Sequence, residues 1–176
     1  MRTLSFARPQ GIQAPSFNWR CATGVSLTLQ SYLGDHHVAY DVTKHNRTGN
    51  SSRTAEASHV PGERLAKGVV LRSGGTYILA VLPASRHIAM EAVEKVTGAP
   101  VMLASEAEAS MLFPDCEEGA VPVFGAAYGI PAVIDETLDV SADIYCEGGD
   151  HRTLVHMDGK DFSALMSGAE RAHFVA

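Results

Sequence analysis

The sequence predicts a mixed α/β (α+β) domain with a curved mixed sheet and helices packed outside it. Three observations predict this. Short β-rich apolar runs outnumber helical patterns. The two kinds interleave along the chain instead of segregating. The chain has 176 residues, 45% hydrophobic and 19% charged, which is long enough to bury one core without staples and too apolar for disorder. There is no internal repeat. Residues 23–170 are read as one domain behind an N-terminal extension, 1–22.

The extension holds Arg2, Arg8 and Arg20, no acid, and Pro9, Gly11 and Pro15. It lacks periodicity, so a flexible tail is expected, and it lacks the apolar stretch of a secretory leader. Thr23 is expected to open a helix carrying Leu27, Leu29, Tyr32 and Leu33, with Gly34 stopping it. Val38, Tyr40 and Val42 alternate as in a strand. Residues 45–52 (HNRTGNSS) form a loop, after which Ser52 or Thr54 caps a short helix through Ala57. Pro61-Gly62 is a turn.

Residues 65–71 (LAKGVVL) and 77–82 (YILAVL) read as two strands joined by Ser73-Gly74-Gly75, a hairpin signal. Ser85 is placed to cap a helix over 86–97 carrying Ile88, Val93 and Val96, with Gly98 at its end. Residues 101–103 form a strand. Ser105 begins a helix with acids in its first turn, where the macrodipole favours them. A loop over 119–131, three strands (132–134, 143–146, 153–157) and a helix from Asp158 with Phe162, Leu165 and Met166 complete the chain.

Composition narrows the function. A net charge of −6 argues against binding nucleic acid through a broad basic face, though not against gripping the end of a strand. No helix-turn-helix signal is present, so DNA is not an expected partner. No run reaches membrane-spanning length. Cys21, Cys116 and Cys146 form no CxxC, as in a reduced, cytoplasmic chain with inert buried thiols. The eight histidines form no HExxH and none pairs with cysteine at zinc-finger spacing, so no metal is expected. No GxSxG elbow or nucleotide-binding glycine motif occurs.

Two features remain. Lys67 lies inside an apolar strand, either as an edge lysine that blocks aggregation or as a contact for a phosphate or oxyanion. Gly119-Ala-Val-Pro-Val-Phe-Gly125 fixes an unusual backbone path, either a plain sheet corner or a set of N–H groups aimed at one oxygen.

Taken in order, several segments resemble the YbaK/ProX family, free-standing relatives of the prolyl-tRNA synthetase editing domain. They are the helix and strand ending at His45, Thr54-Ala-Glu-Ala, the lysine strand LAKGVVL, YILAVLPA, the GAVPVFG loop, AVIDETL with Asp135, IYCEGGDHRTLVHM and the closing helix. The resemblance spans roughly residues 25–167. It implies a barrel-like curved sheet and hydrolysis of the ester joining a wrong amino acid to the terminal adenosine of a tRNA, without a cofactor. It also implies an aminoacyl-tRNA acceptor end as partner, and a synthetase as a second one. By position, Lys67 contacts the nucleotide or its phosphate and Gly119 holds the substrate carbonyl. His45, Thr54, Gly125, Asp135 and His151 fall in matching segments expected to bind substrate. Some relatives carry a serine where this chain has Glu147, a position that shapes the pocket. The alternative is a non-catalytic module that binds an aminoacyl-nucleotide or associates with a synthetase.

Overall fold

β2 (Leu65–Ser73) and β3 (Thr76–Pro83) form the expected hairpin, paired from Ala66↔Pro83 to Ser73↔Thr76. Its turn is possible because Gly74 and Gly75 take φ of +54° and +91°. The computed structural model describes residues 24–176. The extension 1–22, Cys21 and the helix start expected at Thr23 lie outside the described residues.

The remaining strands are β1 (Asp41–Lys44), β4 (Val101–Leu103), β5 (Ala132–Asp135), β6 (Ile144–Glu147), β7 (Thr153–Met157) and β8 (Glu170–Ala172). The helices are α1 (Leu27–Asp35), α2 (Ser51–Ser58), α3 (Met90–Thr97), α4 (Glu106–Leu112) and α5 (Gly159–Leu165). All eight strands join one mixed sheet in the order β1-β7-β6-β2-β3-β5-β8, with β4 branching from β2. The pairs β2/β6, β3/β5 and β5/β8 are parallel and the others antiparallel.

β2 therefore forks. Its first residues, Leu65 and Ala66, lie beside Tyr145 and Cys146 of β6, and its last, Leu71–Ser73, beside β4. Between the two partners its outer edge is open. Ala84 N–H donates to Leu65 O, whereas Ala104 N–H donates to Val70 O. Peptide groups alternate sides along a strand, so Gly68 turns its N–H and C=O toward the fork.

One face of the sheet buries Leu79, Val81 and Ile134 against Leu29 and Leu33 of α1, Phe124, and Phe162 of α5. The Phe124 and Phe162 rings sit 5.5 Å apart, a favourable tilted pair. The other face packs Leu71, Ala80 and Leu82 against Val93 of α3 and Phe174. A smaller cluster, Ala55, Val60, Leu65, Ala84 and Leu154, seats α2.

Several local expectations shift. α1 is capped by Ser26 and runs through Gly34 to Asp35; an exposed glycine with open space around it lowers helix propensity without ending the helix. β1 starts at Asp41 rather than Val38, because pairing with His156–Thr153 of β7 fixes its extent. Asn50, rather than Ser52 or Thr54, caps α2 through Arg53 N–H. α3 begins at Met90, not 86: Ile88 bridges to Val175 and Ala89 N–H donates to Phe174 O, which holds the preceding residues extended. β8, Glu-Arg-Ala, carries no strand pattern in the sequence and exists through parallel pairing with β5.

Candidate functional site

The fork in β2 opens into a cavity of about 50 Å³. Its walls are Leu65–Gly68 of β2, Thr54 of α2, Gly119 and Val121 of the glycine loop, and Glu147, His151 and Leu154 from β6 and β7 and their turn. A shallower depression continues outward past Arg47, Thr48, Glu106 and Glu118.

Lys67 is half-buried, not a surface lysine. Its ammonium donates to Arg86 O at 2.5 Å and Ala84 O at 3.4 Å, on the connection that follows β3. Burial lowers its pKa from the ordinary lysine value.

The glycine loop arches across the fork. Gly119 has φ +81°, a conformation that side chains rarely adopt. The nearest atoms a Cβ there would meet are the His151 ring, at 3.5 Å, and Glu106, at 3.7 Å, both ordinary contacts, so conformation rather than space requires the glycine. Ala120 N–H closes a turn onto Glu117 O. The N–H groups of Gly119 and Val121 have no hydrogen-bond partner among the described residues. Val121 also approaches Gly68, where an added Cβ would lie 3.2 Å from Val121 Cγ1 and 3.0 Å from Leu79 Cδ1.

The β6–β7 turn supplies the third wall. Glu147 ends β6; its Oε1 accepts from the N–H groups of Gly149 at 3.1 Å and His151 at 3.2 Å. Its Oε2 has no partner among the described residues. Burial pushes the carboxyl pKa up; the two peptide donors and His151 offset this in part. His151 takes φ +58°, a costly conformation for a residue with a Cβ and one that clusters at functional sites. Its Nε2 lies 2.6 Å from Glu118 O. A carbonyl only accepts, so Nε2 carries the hydrogen.

Loops this bare need a frame. Ser26 N–H donates to Gly148 O and Glu117 N–H to Gly149 O, pinning the turn to the start of α1 and to the segment before Gly119. Ser26 Oγ also lies 2.6 Å from Tyr128 OH. Gly149 has φ +122°, and a Cβ there would meet Cys116 Sγ at 3.0 Å. Thr54 is held by Thr48 Oγ1 at 2.5 Å and by Asn50 O at 3.0 Å, and an Arg47–Glu117 ion pair joins the two rims of the outer depression.

Of the residues singled out in the sequence, the structure brings together Lys67, Gly119, Thr54 and His151. His45 lies just outside the cavity lining; its N–H pairs with Arg152 O and its Nδ1 meets Asn46 O. Gly125 opens a 3₁₀ turn and faces a separate hollow beside Tyr32 and α5, not the Lys67 cavity. A Cβ at Gly125 would lie 2.5 Å from Ile130 O, so close packing accounts for it. Asp135 is fully buried at the end of β5 and accepts from Thr137 N–H and Oγ1 and from Phe174 N–H. Neither lines the Lys67 cavity: β3 stands between Asp135 and the Lys67 strand, and Gly125 packs against Ile130. Sequence reasoning left Glu147 out of the set of binding residues; the signal available was an acid directly before a Gly-Gly pair.

Similarity to known proteins bears on the fold and the family. The profile of the aminoacyl-tRNA editing domain matches residues 45–165. No curated protein matches the chain by sequence. Among solved structures, one described as a proposed trans-editing enzyme for prolyl-tRNA synthetase superposes with a TM-score of 0.72 at 22% identity, covering 85% of this chain and 95% of that one. A hypothetical protein gives 0.74 at 18% identity, covering 85% and 99%. A structure from a study of epitope grafting onto scaffold proteins gives 0.73 at 21% identity, covering 92% and 99%. The profile match spans every wall of the cavity around Lys67, and on it the chain belongs to the aminoacyl-tRNA editing domain family, the YbaK/ProX group.

Proposed function

We propose that this chain is a trans-editing hydrolase that removes a wrongly attached amino acid from the terminal adenosine of a tRNA. The observation that carries the reading is the pair of N–H groups, Gly119 and Val121, without a partner among the described residues, on a loop that lines the same cavity as the Lys67 strand. Ester hydrolysis passes through a tetrahedral oxyanion. Donors fixed in advance at that oxygen stabilise it by about 3 kcal/mol each.

In this scheme water adds to the ester carbonyl and the new oxyanion settles against Gly119 and Val121. The C–O bond to the ribose then breaks, and the ribose oxygen leaves with a proton. Lys67, held by two carbonyls at the mouth, meets the nucleotide's negative charge. Only the aminoacyl end enters, so a chain of net charge −6 meets little of the tRNA backbone. Family membership supports the reading.

The test is a panel of tRNAs mischarged with alanine, serine, proline or cysteine, incubated with purified protein while the ester is followed. Loss of at least one ester well above the spontaneous rate is expected. No acceleration on any member would leave a binding module without catalysis as the better reading.

A further inference from the structure

The parallel register of β2 and β6 pairs Leu65 with Tyr145 and Ala66 with Cys146. One step further along both strands come Lys67 and Glu147. Ala66 and Cys146 are buried; alternation sends the next pair together to the opposite face. Neighbouring strands are about 4.8 Å apart, so opposite charges placed side by side would ordinarily meet.

They do not. Lys67 is drawn to the carbonyls of Ala84 and Arg86 on one side, and Glu147 to the amides of Gly149 and His151 on the other. The cavity lies between them. It is a bipolar slot, with an ammonium on one wall and, on the other, a carboxylate with one oxygen that no described residue engages. His151 links the carboxylate to the glycine loop, because its N–H holds Glu147 Oε1 while its ring holds Glu118 O, next to Gly119.

An aminoacyl ester has a matching layout. Its carbonyl is two bonds from a free ammonium, and the nucleotide lies on the other side of the ester. We propose that Glu147 is the specificity residue of the site and receives the free α-ammonium of the aminoacyl group, so that the site takes esters of free amino acids and rejects N-acylated and peptidyl esters. This rests on the editing reading for the identity of the substrate, but it concerns recognition and can fail separately. The ammonium supplies the counter-charge that Lys67 withholds, and the raised carboxyl pKa is what an acid waiting for such a partner shows. The other ionisable groups around Glu147 are His151, Asp150 and the Cys146 thiol; none donates a hydrogen bond to its Oε2.

The experiment uses two non-hydrolysable probes, adenosine bearing alanine through a 3′-amide and the same molecule N-acetylated. Binding of each is measured by calorimetry to the whole protein and to Glu147→Gln. The wild type should bind the free-amine probe about 10- to 150-fold more tightly, the range of a charge-assisted hydrogen bond. Glu147→Gln should bind both probes equally and weakly. Equal binding of the two by the wild type, or no binding of either, overturns the proposal without reliance on the variant. So does a Glu147→Gln protein that keeps the preference. Preference for the free amine together with no ester hydrolysis would sustain the role of Glu147 and overturn the hydrolase.

Discussion

Two acids of the same sheet, one on each side of the β2–β3 hairpin, differ in one respect. Asp135, at the end of β5, spends both carboxylate oxygens on Thr137 and on Phe174 N–H and does not line the Lys67 cavity. Glu147, at the end of β6, has peptide donors on one oxygen only and faces a cavity beside Lys67. Burying a polar group costs free energy unless it is hydrogen-bonded. The satisfied acid holds the fold together by tethering the chain after β8 to β5. The half-satisfied one leaves a favourable interaction unmade, and a ligand can make it. The same contrast separates Gly125, fixed by close packing, from Gly119, fixed by backbone conformation next to open N–H groups.

The sharpest way to break this comparison is Gly119→Val. Forcing a β-branched residue to φ +81° must move the loop and its N–H groups. Single-turnover deacylation should fall about 100- to 1,000-fold, the cost of a lost oxyanion donor. A near-normal rate would remove the loop from the chemistry.

Lys67→Ala should follow, with a loss of about 10- to 150-fold in rate and an almost unchanged melting temperature. Equal rates for wild type and variant would return Lys67 to a role at the strand edge.

Asp135→Ala should do the reverse. It strips the partner from a buried Phe174 N–H and from Thr137, costing about 1–3 kcal/mol for each buried donor left bare. Denaturant melts should show that loss, while activity per folded molecule stays near wild type. A stable but inactive Asp135→Ala protein would bring this carboxylate back to the site, where its place in the sequence first put it.

The smallest expected effect concerns stability and pH. The Glu147 carboxyl is raised in the folded chain. The folded state therefore holds this proton more tightly than the unfolded one. The resulting stability is complete below the unfolded pKa, about 4.3, and is lost as pH rises through the folded value. Glu147→Gln should melt close to wild type in acid and a few degrees higher at neutral pH, so a variant that binds less is the more stable one. Parallel melting curves from pH 4 to pH 8 would show that the carboxylate is already compensated in the empty protein.

Much of this was legible in the sequence. The β2–β3 hairpin follows from two apolar runs around Gly74-Gly75, and α4 from Ser105 and Glu108, which form a capping box. These signals are local: a turn residue or a cap acts within a few positions, and the chain carries it wherever it goes. The ordered segments from His45 to the closing helix were enough to indicate the family. Lys67 and Gly119 stood out for the same local reason, as a charge in an apolar strand and a glycine in a constrained loop.

What the tertiary structure decided is non-local. β8 has no apolar pattern and forms because β5 offers it an edge. α3 starts late because the C-terminal residues claim Ile88 and Ala89. Above all, Lys67 and Glu147 are 80 positions apart in the chain, and only the parallel β2/β6 register makes them neighbours. A sequence fixes which residue types are present and what each prefers within a turn or two. Pairing across a sheet depends on closing long loops against their entropy, which the whole core stabilises at once. The open slot between the two charges is therefore a property of the assembled sheet.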